Sequence, residues 1–140
     1  PLYGNDIDAS TTPVEAGLQW AIQKVRRRQG ARAGGFPGAT KILAQLEGGP
    51  LALARKRVGL VALDRVPVRE HTELRSVGGA RLGEVTSGLL GPSRDQPIAM
   101  AYLAPEWAVL ETQMYAMVRG KPVRMEIVTL PFVATHYFRG

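Results

Sequence analysis

From Val58 onward the chain consists of short apolar runs separated by turn residues, and this pattern limits its fold more than any other feature. Val58 to Leu63 is a continuous apolar run after Arg57. Further strand candidates lie at Val66–Arg69, Ala80–Thr86, Ile98–Leu103, Met114–Arg119 and Val123–Thr129. Gly78-Gly79, the stretch from Gly88 to Ser93, Ala104-Pro105 and Arg119-Gly120-Lys121-Pro122 separate them. The last of these, between two apolar runs, predicts a hairpin. Strands this short expose unpaired edges unless the sheet closes on itself. The expectation is therefore a small barrel or sandwich.

The first third reads differently, and the composition changes near residues 48–55. Thr12, Pro13 and Glu15 form a helix-start signature. Thr12 can cap, Pro13 loses nothing at the first helical position, and Glu15 can reach back to the Thr12 amide. Val14, Leu18, Ile22 and Val25 recur at three- and four-residue steps and predict one buried helix face. Gly17 lies inside that pattern at a cost of about 1 kcal/mol relative to Ala, which suggests close packing at that point. Residues 29–35 read as a loop. A second helix is predicted from Pro37, with Ile42, Leu43 and Leu46 on one face and Gly48-Gly49 as its stop. Tyr3 to Trp20 is unusually well defined for a chain end, and the chain starts on Pro1. The expectation is a piece of a longer protein.

Composition narrows the chemistry. The chain has 140 residues, none of them cysteine, so disulfides, thiolate catalysis and cysteine zinc sites are excluded. Two histidines, His71 and His136, are too few for a histidine-based metal site. No apolar run approaches the roughly 20 residues of a membrane helix, so no membrane association is expected. The net charge of +6 is concentrated at Lys24, Arg26, Arg27, Arg28 and Arg32, and again at Arg55, Lys56 and Arg57. These runs lack interleaved aromatics and any nucleic-acid-binding motif. The reading is a solvated basic surface, an acidic protein partner or a polyanionic small ligand, and not nucleic acid.

No complete active site is legible. Asp6 and Asp8 fall in an opening turn, where Asp commonly serves backbone hydrogen bonding. Glu70, His71 and Glu73 place a histidine among carboxylates, but no nucleophile accompanies them at a recognised spacing. Ser87 lacks a nucleophile elbow, and Gly34 to Gly38 lacks the ending of a phosphate loop.

Taken in order, LYGNDID, TTPVEAGLQW, FPGA, RKRVGL, PVREHTEL, GEVTSGLLGPS, PIAMAYL, VRGKPV and LPFVATHYFR resemble the C-terminal part of the glycine cleavage system T-protein. That family comprises tetrahydrofolate-dependent aminomethyltransferases. The resemblance runs the length of the chain and implies an α+β fold. Residues 1–50 would be a helical remnant of the folate-binding domain. Residues 51–140 would be a mainly antiparallel, jelly-roll-like β-barrel. The family takes an aminomethyl group from the lipoyl arm of the H-protein, releases ammonia and gives 5,10-methylenetetrahydrofolate. Its catalytic aspartate lies upstream of the residues matched here, so this chain alone is expected to be inactive, with no metal involved.

The resemblance also implies roles for particular residues. Trp20 matches a tryptophan lining the folate site, its alternative being helix-face core. Tyr137 matches a tyrosine that approaches folate. Arg57 would hold a glutamate-tail carboxylate or tie domains together, and Arg139 is a weaker candidate for the same duty. Asp6, Glu15 and Arg69 would be scaffolding. Where relatives have a Gly-Thr turn before the final hairpin, this chain has Glu111-Thr112, which leaves the local register open. The implied partners are the H-protein and the rest of the T-protein chain. Without that rest, the apolar face of residues 12–47 implies self-association or marginal stability. The location would be cytoplasmic in a bacterium or the mitochondrial matrix in a eukaryote. Alternatives are a folate-binding module of a sarcosine or dimethylglycine dehydrogenase, or a basic RNA-associated relative.

Overall fold

The computed structural model describes residues 1–49 and 52–136. Six antiparallel strands form a closed barrel: β1 (Lys56–Ala62), β2 (Glu73–Arg75), β3 (Arg81–Gly91), β4 (Gln96–Leu103), β5 (Gln113–Val118) and β6 (Lys121–Val128). The order around the barrel is β1-β4-β3-β2-β5-β6, with β6 returning to β1, so every strand has two neighbours. Of the barrel and the sandwich anticipated from the short runs, the barrel is present.

Alternation builds the core. Pro97, Ala99, Ala101 and Leu103 point inward from β4, and Val123, Met125 and Ile127 from β6. Leu60, Leu74, Val85, Met114 and Val68 complete the interior. Burying a side chain such as Leu60 or Leu74 contributes about 1.5–3 kcal/mol. β1 is buried on both faces, which explains its continuous apolar run. A Cβ on Gly59 would stand 2.7 Å from Leu130, a residue that covers the outside of the strand beside Phe132.

Several expectations need correction. Val66–Arg69 forms no strand, although Val68 turns into the core. β2 has no counterpart among the expected strands; its three residues pair with both β3 and β5, with Leu74 buried in the interior between them. The turn expected at Gly88 starts only after Gly91, since β3 runs straight through Gly88. Gly88 is glycine for space: a Cβ there would meet the Val68 carbonyl oxygen at 2.0 Å. Arg119 (φ 51°) and Gly120 (φ 76°) form the expected β5–β6 hairpin turn. Glu111 adopts φ 66°, and Gln113 pairs with Glu126, which settles the register left open before the hairpin.

The long first helix is absent. Its capping box is nevertheless complete: the Thr12 amide donates to Glu15 at 3.3 Å, and the Glu15 amide donates to the Thr12 hydroxyl at 3.2 Å. One turn follows, with Ala16 and Leu18 amides bonded to the Thr12 and Pro13 carbonyls. Gly17 then takes φ 66°, a left-handed conformation that ends the helical path. The chain continues as two 3-10 turns, Gln19–Ala21 and Lys24–Arg26. The second predicted helix is α1 (Ala39–Gly48), stopped by Gly49 as expected. The proposed domain limit at residues 50–51 lies outside the described residues.

Candidate functional site

The opening turn is fastened to the barrel by a buried carboxylate. Asp6 is 1% exposed. Its Oδ1 accepts hydrogen bonds from the Thr86 hydroxyl at 2.5 Å and the Ser87 hydroxyl at 2.8 Å, and its Oδ2 accepts from the Leu2 amide at 2.8 Å. The Tyr102 hydroxyl donates to the Asp6 carbonyl at 2.7 Å. Two hydroxyls from adjacent strand residues can reach one carboxylate because β3 is bulged. Val85 pairs with Ala101 and Ser87 with Met100, leaving Thr86 as the extra residue. The motif GEVTSG and the turn GND are thus halves of one joint. Burial raises the Tyr102 hydroxyl above its usual pKa of 10.0, against the opposing pull of Arg57 and Arg55.

A second buried carboxylate continues this seam. Glu15 is 4% exposed; it accepts from Gln45 at 3.2 Å and pairs with Arg55 at 3.4 Å and Lys41 at 3.9 Å. The Thr12 hydroxyl donates to Gln45 at 2.7 Å, so α1, the capping turn and the residue before β1 meet around one charge. Arg55 also lies 4.6 Å above the Tyr102 ring. Arg57 donates from Nε to the Ala16 carbonyl at 2.7 Å, and its amide donates to the Glu15 carbonyl at 2.8 Å. Of the two roles weighed for Arg57, its contacts are those of a tie between the N-terminal segment and the barrel.

Trp20 stands apart from this seam. It sits on the first 3-10 turn and is 77% exposed, so it is no part of a helix-face core. Arg27 fixes the turn by donating to the Gln19 carbonyl at 2.8 Å and the Ile22 carbonyl at 3.2 Å. The chain neighbours of Trp20 line two clefts. One, of about 340 Å³, has Ala21, Arg26, Phe36 and Ile42 in its walls; the other, of about 220 Å³, has Gly17, Gln19, Leu53 and Lys56. Trp20 therefore stands on the N-terminal segment and Arg57 on β1, and no hydrogen bond joins them. Tyr137 and Arg139 lie outside the described residues.

The basic loop has structural work. Arg26 donates to the Gly34 carbonyl at 3.2 Å, and Arg28 pairs with Glu47 at 2.5 Å. The acidic-histidine cluster disperses in the same way. Glu70 accepts from Asn5 at 2.7 Å, exposed His71 lies 3.4 Å from Glu84, and Glu73 contacts Arg75 and Arg81. Asp8 accepts from Ser10 and Thr11, which hold its carboxyl below the usual value. Among the described residues, no cluster of His, Asp or Glu is placed to hold a metal, and no helix is long and apolar enough to cross a membrane. Sequence reasoning missed the partnership of Asp6 with Thr86 and Tyr102, and that of Glu15 with Gln45 and Arg55. Only the capping-box half of the Glu15 site had a local signature.

Residues 55–134 match the family described as the glycine cleavage T-protein C-terminal barrel domain. Similar proteins include a probable mitochondrial aminomethyltransferase of Schizosaccharomyces pombe, 41% identical over 99% of this chain and 33% of that protein. The human mitochondrial aminomethyltransferase is 40% identical over 98% of this chain and 32% of its own length. The crystal structure of glycine cleavage system aminomethyltransferase T from Bartonella henselae superposes with a TM-score of 0.87 at 41% identity. That match covers 99% of this chain and 37% of that one. The chain thus spans about a third of the length of the relatives it matches.

Proposed function

This chain belongs to the glycine cleavage T-protein C-terminal barrel domain family, and from that membership we propose that it is the C-terminal part of a tetrahydrofolate-dependent aminomethyltransferase. In the whole enzyme, an aminomethyl group carried on the lipoyl arm of an H-protein would pass its one-carbon unit to tetrahydrofolate. Ammonia and 5,10-methylenetetrahydrofolate would leave. The observation that carries this reading is the 41% identity held over 138 residues, which takes in the segment before the barrel as well as the barrel itself. The demethylating-oxidoreductase and RNA-associated alternatives have no observation in their favour.

In this reading residues 1–50 complete the folate-binding body and residues 51–140 form the barrel that braces it. The family's catalytic aspartate would lie upstream of the residues matched here. Asp6 and Glu15 are not substitutes, since their oxygens are engaged in the seam. The contribution of this chain is presentation. Trp20 offers an exposed aromatic face, on a turn held by Arg27, against which a pterin or aminobenzoyl ring can stack. Arg57 keeps that segment on the barrel, and its remaining guanidinium face is our candidate for a glutamate-tail carboxylate. Tyr137 and Arg139 complete the proposed folate set. The excess positive charge suits polyglutamylated folate and an acidic lipoyl carrier, through steering more than affinity. The location follows the host: the mitochondrial matrix in a eukaryote, as the names of the eukaryotic relatives indicate for those proteins, or the bacterial cytoplasm.

Titration of tetrahydrofolate into the 140-residue chain carrying Trp107→Phe, followed by Trp20 fluorescence and calorimetry, tests this reading. Weak saturable binding with quenching, lost in Trp20→Ala, is expected. Saturable binding that leaves Trp20 fluorescence unchanged, or an absence of binding at millimolar ligand, overturns the assignment of Trp20 to the folate site.

A further inference from the structure

A larger cleft lies beyond the end of β1 opposite Arg57. About 620 Å³ in volume, it is formed by the segment after β1, with Asp64, Val66, Pro67 and Arg69, and by the β5–β6 hairpin from Val118 to Val123. Val66 is 38% exposed and half-buried Val118 lines the same space, so the floor is apolar and open. The rim is basic. Arg69, Arg119 and Lys121 form no ion pair among the described residues, whereas Arg65, Arg75, Arg81 and Arg124 all do. The one carboxylate in the wall, Asp64, is already taken by Arg124 at 3.2 Å, and this contact holds its pKa below the usual value. The field in the cleft is therefore left positive.

The backbone adds a second observation. Arg119 adopts φ 51° in the hairpin turn, a conformation uncommon outside glycine and asparagine. The two-residue β5–β6 turn requires that conformation, and the turn places Arg119 in the wall of the cleft. A concave apolar floor of several hundred Å³ with converging charges is the general form of a small-molecule site. Guanidinium groups match carboxylate and phosphate geometry in a way that a lone ammonium does not. We propose that this cleft binds a small organic anion, an apolar body bearing a carboxylate, sulfonate or phosphate group, at a site separate from the face that carries Trp20.

The probe for this proposal is 8-anilinonaphthalene-1-sulfonate, titrated into the 140-residue chain and followed by amide chemical shifts. Saturable shifts confined to residues 64–69 and 118–123 are expected. Arg69→Gln and Lys121→Gln should each weaken binding by about tenfold, as loss of one charge-assisted hydrogen bond predicts, with the remaining amide shifts unchanged. Inorganic phosphate alone should bind at the same residues but more weakly, because it lacks the apolar body. Shifts centred on Leu2, Tyr3 and Trp20, or no saturation, overturn the proposal. So does a poly-glutamate peptide that occupies the cleft more tightly than the probe, because it would mark the site as a protein-docking groove.

Discussion

The carboxylate of Asp6 accepts a 2.5 Å hydrogen bond from Thr86, a residue 80 positions away on a strand bulged at that point. The bond joins the first turn of the chain to the barrel wall and orders a segment that has no long helix of its own. Removing the carboxylate with Asp6→Ala leaves the Ser87 hydroxyl and Leu2 amide without their acceptor in a partly buried place. A loss of about 2–3 kcal/mol is expected by urea denaturation, with Asp6→Asn losing less because one acceptor oxygen survives. Equal stability of Asp6→Ala and the parent chain would show that the joint is incidental.

Gly88→Ala should be among the most damaging small substitutions in the barrel. The added methyl group meets the Val68 carbonyl oxygen at 2.0 Å, and Val68 is itself core, so the backbone has no easy retreat. A loss of about 3 kcal/mol is expected, read as a lower denaturant midpoint with little change in slope.

Glu111→Gly should act in the opposite direction. Glu111 occupies φ 66°, where a side chain is strained, and its amide bond to the Ile127 carbonyl does not depend on the side chain. Relief of strain outweighs the added freedom of the unfolded chain, and a gain of about 0.5–1 kcal/mol is expected as a higher melting temperature.

Stability should fall at high pH because of Tyr102. Burial raises its pKa in the folded chain above 10.0, so the folded state favours the protonated phenol more than the unfolded state does. That contribution is complete below about pH 10 and is lost as the pH rises through the folded value. Denaturation curves recorded from pH 8 to 11 should show the decline, and Tyr102→Phe should flatten it. Tyr102→Phe should also cost about 1 kcal/mol at neutral pH through the lost bond to the Asp6 carbonyl.

Trp20→Ala should change stability by no more than about 0.5 kcal/mol, because the indole is 77% exposed. A loss of several kcal/mol in thermal unfolding would mean that Trp20 is packed, and would remove it as a ligand-facing group.

The parts of the fold legible in sequence are those with a short-range signature. β4 is a short apolar run between turn residues, β6 alternates apolar and charged residues, the β5–β6 turn carries its own residues, and the Thr12–Glu15 capping box spans three positions; all are present. The helix beyond Thr12 was over-extended because its apolar spacing continued past Gly17. The spacing is real, but one left-handed residue redirects the backbone whatever follows. β2 was missed because a three-residue strand has no period of its own. It exists through what lies on either side, β3 and β5, and through Leu74 beneath it. Among the site residues, the exposure of Trp20 could not be read from its helical-looking context, and the reach of Arg57 to Ala16 spans 41 positions.

The sequence by itself determined a set of short strands that had to close as a barrel or sandwich, the family resemblance and the absence of cysteine chemistry, because apolar runs, turn residues and composition are local or additive properties. Only the tertiary structure decided which distant groups Asp6 and Glu15 hold, that Trp20 faces outward, and that Arg69, Arg119 and Lys121 share one cleft. The reason is that a polar side chain takes its role from whichever group closes its hydrogen bonds. In this chain those groups come from strands and loops far apart in sequence.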